Sequence, residues 1–170
     1  MQKVASFKKV SYAQFENDFS SHFPQYTTLQ IKNIYDNITL PMRATTGSAG
    51  YDFFTPLDIT LKSAQEITIP TGICTHIIPG WVLALFPRSS LGFKYRLQLN
   101  NTVGIIDSDY VTSDNEGHIF IRITNDSLEP KTVHIKENQG FVQGIFLPFG
   151  IVEDDATTTK RNGGLGSTTK

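Results

Sequence analysis

The sequence is poor in cysteine, in long apolar runs and in excess charge of either sign. Its single cysteine, Cys74, excludes an intrachain disulfide and a site built from several thiolates. No run approaches the roughly 20 apolar residues that span a bilayer, and the N-terminus lacks the apolar core of a signal peptide. A formal net charge of −1 gives no long-range attraction for nucleic acid or an anionic membrane. We therefore expect a cytoplasmic protein that binds neither, with Cys74 as a buried thiol in an apolar run.

The length of 170 residues fits one domain. An aromatic stripe near the N-terminus recurs at spacings of three and four: Tyr12, Phe15, Phe19 and Phe23. This periodicity predicts a helix whose apolar face packs within the protein. Ser11 is a plausible N-cap for the helix, and Pro24 a plausible stop.

From Leu40 onward, short runs rich in Ile, Val, Phe and Thr alternate with turn residues. The clearest are residues 66–69, 81–86, 118–124, 132–135 and 141–146. Within one of them, Ile119, Ile121 and Ile123 alternate with more polar positions, which indicates a strand with one apolar face. Many short strands predict an all-β sandwich or barrel. We divide the chain into an N-terminal extension (1–37), a β-domain (38–152) and a C-terminal segment (153–170).

The last 18 residues are polar and rich in glycine, which by composition favours an inert, disordered tail. The same segment contains Lys160, Arg161, Ser167 and Thr168 among three glycines. Backbone N–H groups exposed at glycines, together with cations and hydroxyls, can also cradle a phosphate. Composition alone leaves both interpretations open.

Four further segments combine polar residues with tight backbone: residues 47–52, 87–92, 101–110 and 138–143. In the second, Arg88 with Ser89 and Ser90 suits phosphate oxygens. In the third, Asp107 and Asp109 would share a face if extended, and a carboxylate at the edge of a core can act as a base or help hold a metal. Taken alone, the second and third segments are more typical of ordinary surface turns, and no single segment decides the function.

The order of these segments is more specific than any one of them. Asp52, then Pro-Arg-Ser-Ser-Leu-Gly, then Gly-Ile-Ile-Asp-Ser-Asp-Tyr, then a strand with Gln143, then Gly-Gly-Leu-Gly-Ser-Thr resembles the five-motif signature of trimeric dUTPases over roughly residues 38–168. The resemblance implies an antiparallel jelly roll or β-sandwich with a short N-terminal helical extension. It also implies a homotrimer in which each active site uses three chains, and Mg²⁺-dependent hydrolysis of dUTP to dUMP and pyrophosphate.

The resemblance assigns roles position by position. Asp107 corresponds to the aspartate that orients the attacking water, and Tyr110 to the aromatic beneath the deoxyribose. Asn101, Val103 and Gly104 correspond to the β-hairpin that reads uracil. The phosphate-binding positions are Arg88, Ser89, Ser90, Gly92 and Gln143. Asp52 corresponds to the acid near the metal, which the substrate phosphates mainly hold, and the mobile lid is represented by Arg161, Gly164, Leu165, Gly166, Ser167 and Thr168.

Several positions depart from the family pattern. Leu165 stands where an aromatic usually stacks on uracil, and Gly140 where the fourth motif often has arginine. Residues 111–116 form an insertion, and the N-terminal extension has no counterpart in minimal members. These departures keep open a regulatory or binding protein on the same scaffold, with a protein partner and weak catalysis. A dCTP deaminase relative is the other alternative, although that family usually has Ile-Asp-Pro-Gly where this chain has Ile-Asp-Ser-Asp.

Overall fold

The computed structural model describes residues 2–159 and 161. Over those residues it has eleven strands, three α-helices and one short 3₁₀ helix, Tyr110–Thr112. In chain order the elements are β1 Ala5–Lys9, α1 Tyr12–His22, α2 Thr28–Asn37, β2 Tyr51–Phe54, β3 Ile59–Leu61, β4 Glu66–Pro70, β5 Ile73–Ile77, β6 Trp81–Pro87, α3 Ser89–Tyr95, β7 Leu97–Leu99, β8 Gly104–Ile106, β9 Phe120–Asn125, β10 Val133–Ile135 and β11 Gly140–Pro148.

The strands of the described residues form four antiparallel sheets. Their orders are β1-β5, β3-β10, β2-β11-β6-β8 and β4-β9-β7. Most neighbours are distant in sequence, so the chain crosses repeatedly between sheets, and their apolar faces enclose one core. The predicted antiparallel β jelly roll with short helices is confirmed.

All five predicted strand runs form strands, namely β4, β6, β9, β10 and β11. In β9 the alternation holds, because Ile121 and Ile123 are buried while Arg122 is exposed. The buried pair lies opposite Ile69 and Ile67 of β4. Of the strands that were not predicted, β3, β7 and β8 have only three residues each and show too little alternation to be recognised.

Helix α1 matches its prediction closely. The Ser11 hydroxyl accepts a hydrogen bond from the Gln14 N–H at 3.1 Å, which makes Ser11 the N-cap. Phe15 and Phe19 are fully buried, with ring centroids 5.1 Å apart. The aromatic stripe therefore packs against the protein's own core.

The rest of the N-terminal extension is more ordered than the sequence indicated. Strand β1 pairs along its whole length with β5, so it adds to the β architecture. Helix α2 begins at a capping box formed by Thr27 and Gln30 and buries Ile31. None of the helices in the described part of the chain is long and apolar enough to cross a bilayer. Cys74, in β5, is a buried free thiol as predicted, and burial raises its pKa.

We expect Phe19→Ala to lower the free energy of unfolding by about 3–5 kcal/mol, because it opens a cavity in a fully buried aromatic cluster. Leu29→Ala on α2 is the control, since that side chain is 80% exposed and its loss should change stability by less than about 0.5 kcal/mol. Urea denaturation measures both. Equal effects of the two variants would contradict the packing of α1.

Candidate active site

A cavity of about 660 Å³ lies where β8 meets the edge of the β4-β9-β7 sheet. Five of the predicted site residues line it: Asn101, Gly104, Asp107, Tyr110 and Arg161. They come from the turn before β8, from β8 itself, from the turn after it and from the C-terminal segment. The fold thus gathers one group of predicted residues around a single cavity.

The turn between β7 and β8 differs from the expected hairpin. Strand β7 pairs with β9 and strand β8 pairs with β6, so the two strands belong to different sheets. The connecting turn closes through hydrogen bonds from the Thr102 N–H to the Leu99 carbonyl at 2.9 Å and from the Val103 N–H to the Asn101 carbonyl at 2.7 Å. The turn therefore bridges two sheets at the cavity, with Asn101 and Gly104 lining it and Val103 between them.

Gly104 is tightly packed against β6. A Cβ atom at this position would lie 3.1 Å from the Leu85 Cβ. The absence of a side chain lets β8 approach β6 closely, and all three residues of β8 line the cavity.

Asp107 and Asp109 follow β8 in a turn and are not extended. The Tyr110 N–H donates to the Asp107 carbonyl at 3.2 Å, and Asp109 has helical φ and ψ values of −87° and −6°. Both carboxylates still face one cation: Arg161 forms an ion pair with Asp107, and its Nε lies 3.1 Å from Asp109 Oδ1. The Arg161 guanidinium carbon also lies 5.6 Å from the Tyr110 ring centroid. The Asp107 side chain remains 45% exposed, so its carboxylate is accessible to water.

The Tyr110 side chain is held in place by two hydrogen bonds of its hydroxyl group. Its hydroxyl donates to the His118 carbonyl at 2.8 Å and accepts from the Asn115 side-chain amide at 2.9 Å. Burial raises the pKa of the phenol, which keeps it neutral. The insertion at residues 111–116 folds back at Gly117, where a Cβ atom would lie 2.6 Å from the Val111 Cα. The insertion therefore supplies Asn115, one of the two hydrogen-bond partners of the Tyr110 hydroxyl.

A second group of predicted residues meets across β2, β11 and β6. Asp52 lies opposite Gln143 in the sheet, and the Arg88 Nε lies 3.3 Å from Asp52 Oδ1. Arg88 also donates to the Gly140 carbonyl at 3.2 Å. A Cβ atom at Gly140 would lie 2.7 Å from Arg88 Nη1, so only glycine leaves the arginine its present place.

The segment predicted as a turn after β6 is the beginning of a helix. Arg88 is the N-cap of α3, Ser89 and Ser90 are its first two residues with exposed side chains, and Gly92 lies within it. The two serines thus follow Arg88 directly at the end of β6, with exposed side chains.

The two groups lie at opposite ends of β6. Ile106 pairs with Leu83, so Asp107 is level with Val82, six residues before Arg88. Six residues of strand measure roughly 20 Å. One chain therefore separates Asp107 from the cluster of Asp52, Arg88 and Gln143 by more than a triphosphate spans.

Sequence reasoning missed some residues that line the cavity. His22, from the end of α1, and Arg122, on the exposed face of β9, both border it. Arg122 could have been found from the alternation of β9, which directs it away from the core. His22 lies in a segment that no motif includes. Gly164, Leu165, Gly166, Ser167 and Thr168 fall outside the described residues.

No group of three or more His, Cys, Asp or Glu side chains that could hold a metal occurs within residues 2–159 and 161. The partner of Asp52 is Arg88. Mg²⁺ commonly binds through one or two carboxylates together with waters and substrate phosphates. Asp52, a single carboxylate close to Arg88, fits that mode of binding.

Comparison with known proteins gives a consistent result. A family model for dUTPase matches residues 36–169. The deoxyuridine 5′-triphosphate nucleotidohydrolase of Lactococcus lactis is 40% identical over 134 residues, which cover 77% of this chain and 88% of that protein. The crystal structure of dUTPase from Streptococcus mutans covers 87% of this chain and 98% of its own, with a TM-score of 0.64 and 32% identity.

A more distant structure shares the fold. It is a variant dUTPase from phage phi11 of S. aureus that coordinates a structural Mg(II) ion. It is 18% identical and covers 92% of this chain and 98% of its own, with a TM-score of 0.62.

We expect Gly117→Ala to lower the free energy of unfolding by about 1–3 kcal/mol, because Gly117 has a φ of +67° and no room for a side chain. Gly150→Ala is the matched control, since a Cβ atom there has nothing within 4 Å. Thermal or urea unfolding measures the difference. Equal stability of the two variants would show that the insertion does not close against Val111.

Proposed function

The chain belongs to the dUTPase family and is a dUTP nucleotidohydrolase, and we propose that it cleaves dUTP to dUMP and pyrophosphate through water held by Asp107. The observation that carries this mechanism is the position of the half-exposed Asp107 carboxylate beside Tyr110 and Gly104 in one cavity. A carboxylate at that place can orient a water for attack on the α-phosphorus and accept its proton.

The base is recognised, in this proposal, by the turn that bridges the two sheets. The Asn101 side chain and the backbone groups of residues 101–104 that do not close the turn offer donors and acceptors to the edge of uracil. Cytosine carries a different pattern of donors and acceptors at that edge, so buried polar groups would be left unpaired. The close approach of Gly104 to Leu85 supports a narrow slot, which the extra methyl group of thymine would not fit.

The sugar stacks on Tyr110 in this proposal. The phenol hydroxyl is already engaged by His118 and Asn115, so the ring offers a fixed surface. A rigid surface beneath the sugar leaves no space for a 2′-hydroxyl, which favours deoxyribose over ribose.

The phosphates bind to the second cluster. Arg88 donates in a fixed planar geometry, and Ser89 and Ser90 add hydroxyl donors. Gln143 of β11 lies opposite Asp52 of β2, and its side-chain amide can donate a hydrogen bond to the same phosphates. Asp52 and the substrate phosphates would hold Mg²⁺, which neutralises the charge that develops on the triphosphate when bound.

The C-terminal segment closes the site in this proposal. Arg161 pairs with Asp107 and Asp109 in the chain as described. A triphosphate carries more negative charge than two carboxylates, so it can draw Arg161 away and leave Asp107 to hold water. Residues 164–168 would then add backbone and hydroxyl donors, and Leu165 would cover the base without the stacking of an aromatic ring.

The active site is completed by a homotrimer. Asp107 and the phosphate-binding cluster lie roughly 20 Å apart along β6, measured by strand rise. If the Asp107 end of β6 in one chain packs against the Arg88 end of β6 in another, both groups of residues can contact one nucleotide. A closed ring of three chains repeats that contact without leaving an unpaired surface.

We expect dUTP to be hydrolysed at least about a hundredfold more efficiently than dTTP, dCTP or UTP, since a slot built from hydrogen bonds rejects a wrong base strongly. Pyrophosphate release from each nucleotide measures this preference. Chelation of Mg²⁺ should abolish turnover, and its return should restore it. Ammonia released from dCTP would support a deaminase, and no turnover of dUTP would refute the proposal.

We expect Asp107→Asn and Arg88→Ala each to lower kcat by at least about a hundredfold, but their co-expression to restore activity. If one site takes Asp107 and Arg88 from different chains, a random mixture forms intact sites in about a quarter of cases. The control is Asp107→Asn co-expressed with the double variant, which can form none. No recovery in mixed trimers confirmed by mass would place both residues in the same site of one chain.

A further inference from the structure

We propose that Asp18 and His118 are positioning residues for Tyr110, through which helix α1 sets the discrimination between deoxyribose and ribose. The inference rests on the proposed role of Tyr110 as the surface beneath the sugar. It concerns a chain of contacts whose members other than Tyr110 lie outside the five motifs. Its first members lie in the N-terminal extension and its last in the cavity.

The His118 side chain is fully buried and has a partner at each ring nitrogen. Its Nδ1 lies 2.6 Å from Asp18 Oδ2, and its Nε2 lies 2.7 Å from the backbone nitrogen of Gly72. An N–H group can only donate, so Nε2 must be the unprotonated acceptor. Nδ1 therefore carries the proton and donates it to Asp18, which fixes both the tautomer and the orientation of the ring.

Asp18 is a suitable anchor for this imidazole. Its side chain is only 14% exposed. Burial alone would raise the pKa of its carboxyl, but the hydrogen bonds from His118 and Gln14 outweigh it and hold the pKa below the ordinary value. The acceptor is thus a partly buried carboxylate on a helix that is itself fixed by Phe15 and Phe19.

The orientation of His118 passes to Tyr110 through the backbone. The His118 carbonyl accepts the Tyr110 hydroxyl at 2.8 Å. The His118 N–H donates to the Asn115 carbonyl at 3.0 Å, and the Asn115 amide donates back to the Tyr110 oxygen at 2.9 Å. The ring, held by Asp18 and Gly72, anchors the backbone of His118, and a displacement of that backbone would shift both partners of the Tyr110 hydroxyl.

A second contact ties the same helix to the same loop. The Glu116 carboxylate accepts from the Ser11 N–H at 2.6 Å and from the Ser11 hydroxyl at 2.7 Å. Glu116 adopts a φ of +58°, a conformation that side chains other than glycine rarely take. Helix α1 and its N-cap thus hold the loop at residues 116 and 118.

The test is the ratio of kcat/KM for dUTP to kcat/KM for UTP in Asp18→Ala. We expect kcat/KM for dUTP to fall about tenfold to a hundredfold, with a smaller fall for UTP, because a displaced platform no longer excludes the 2′-hydroxyl. The two substrates are measured on one sample, so any inactive fraction cancels in the ratio. A purely structural role of Asp18 would leave the ratio unchanged, and that result would overturn the inference.

Two variants complete the design. Asp18→Asn keeps an oxygen that can accept from Nδ1, and it should restore most of the ratio. Ile135→Val, in the β3-β10 sheet, is the stability control and should leave the ratio at the wild-type value. If Asp18→Ala yields no folded protein, Asp18→Glu replaces it: its extra methylene displaces the ring, and an unchanged ratio would equally overturn the inference.

A spectroscopic measurement tests the network in the unaltered protein. The ¹⁵N shifts of His118 should show a neutral ring protonated at Nδ1, whereas protonation at Nε2 would overturn the network. The proposed function fails separately, if the wild-type enzyme does not hydrolyse dUTP or does not prefer it to UTP.

Discussion

The placement of β6 between β11 and β8 determines where the two groups of candidate site residues lie. Its hydrogen bonds to β11 bring Arg88 to Asp52 and Gln143, and its hydrogen bonds to β8 place Asp107 at the other end. The buried side chains of Leu83 and Leu85 fix the register between β6 and its neighbours. Strand β8 therefore cannot shift along β6, and bring Asp107 toward Arg88, without exposing the core. The separation of the two clusters is therefore a property of the sheet and cannot be relieved by loop movement.

The parts of the fold that were predictable are those with a local signal. The aromatic stripe of α1 and the alternation in β9 repeat often enough to show their periods. Strands β7 and β8 have three residues each, and their assignment to different sheets depends on partners far away in sequence. No local pattern could have corrected the expected hairpin, because the turn at Asn101 looks the same in either arrangement.

The candidate site likewise contains residues that the sequence predicts and residues that only the structure reveals. The residues of the motifs could be named from the order of the segments, and the structure places several of them around one cavity. The network behind Tyr110 could not, because Asp18 and His118 are 100 residues apart and neither belongs to one of the five motifs. Long-range hydrogen bonds between buried groups produce no periodic pattern in the sequence. The contacts of the N-terminal extension with the loop behind Tyr110 could therefore be recognised only from the structure.

The contact between Gly140 and Arg88 has an evolutionary consequence. Many family members carry arginine in the fourth motif, yet a side chain at position 140 here would collide with the guanidinium of Arg88. A side chain introduced at position 140 would therefore require the Arg88 guanidinium to move. The two positions are expected to be epistatic, since contacting residues do not contribute independently. A lineage that gains a side chain at position 140 is therefore expected to change the conformation or the identity of residue 88 as well.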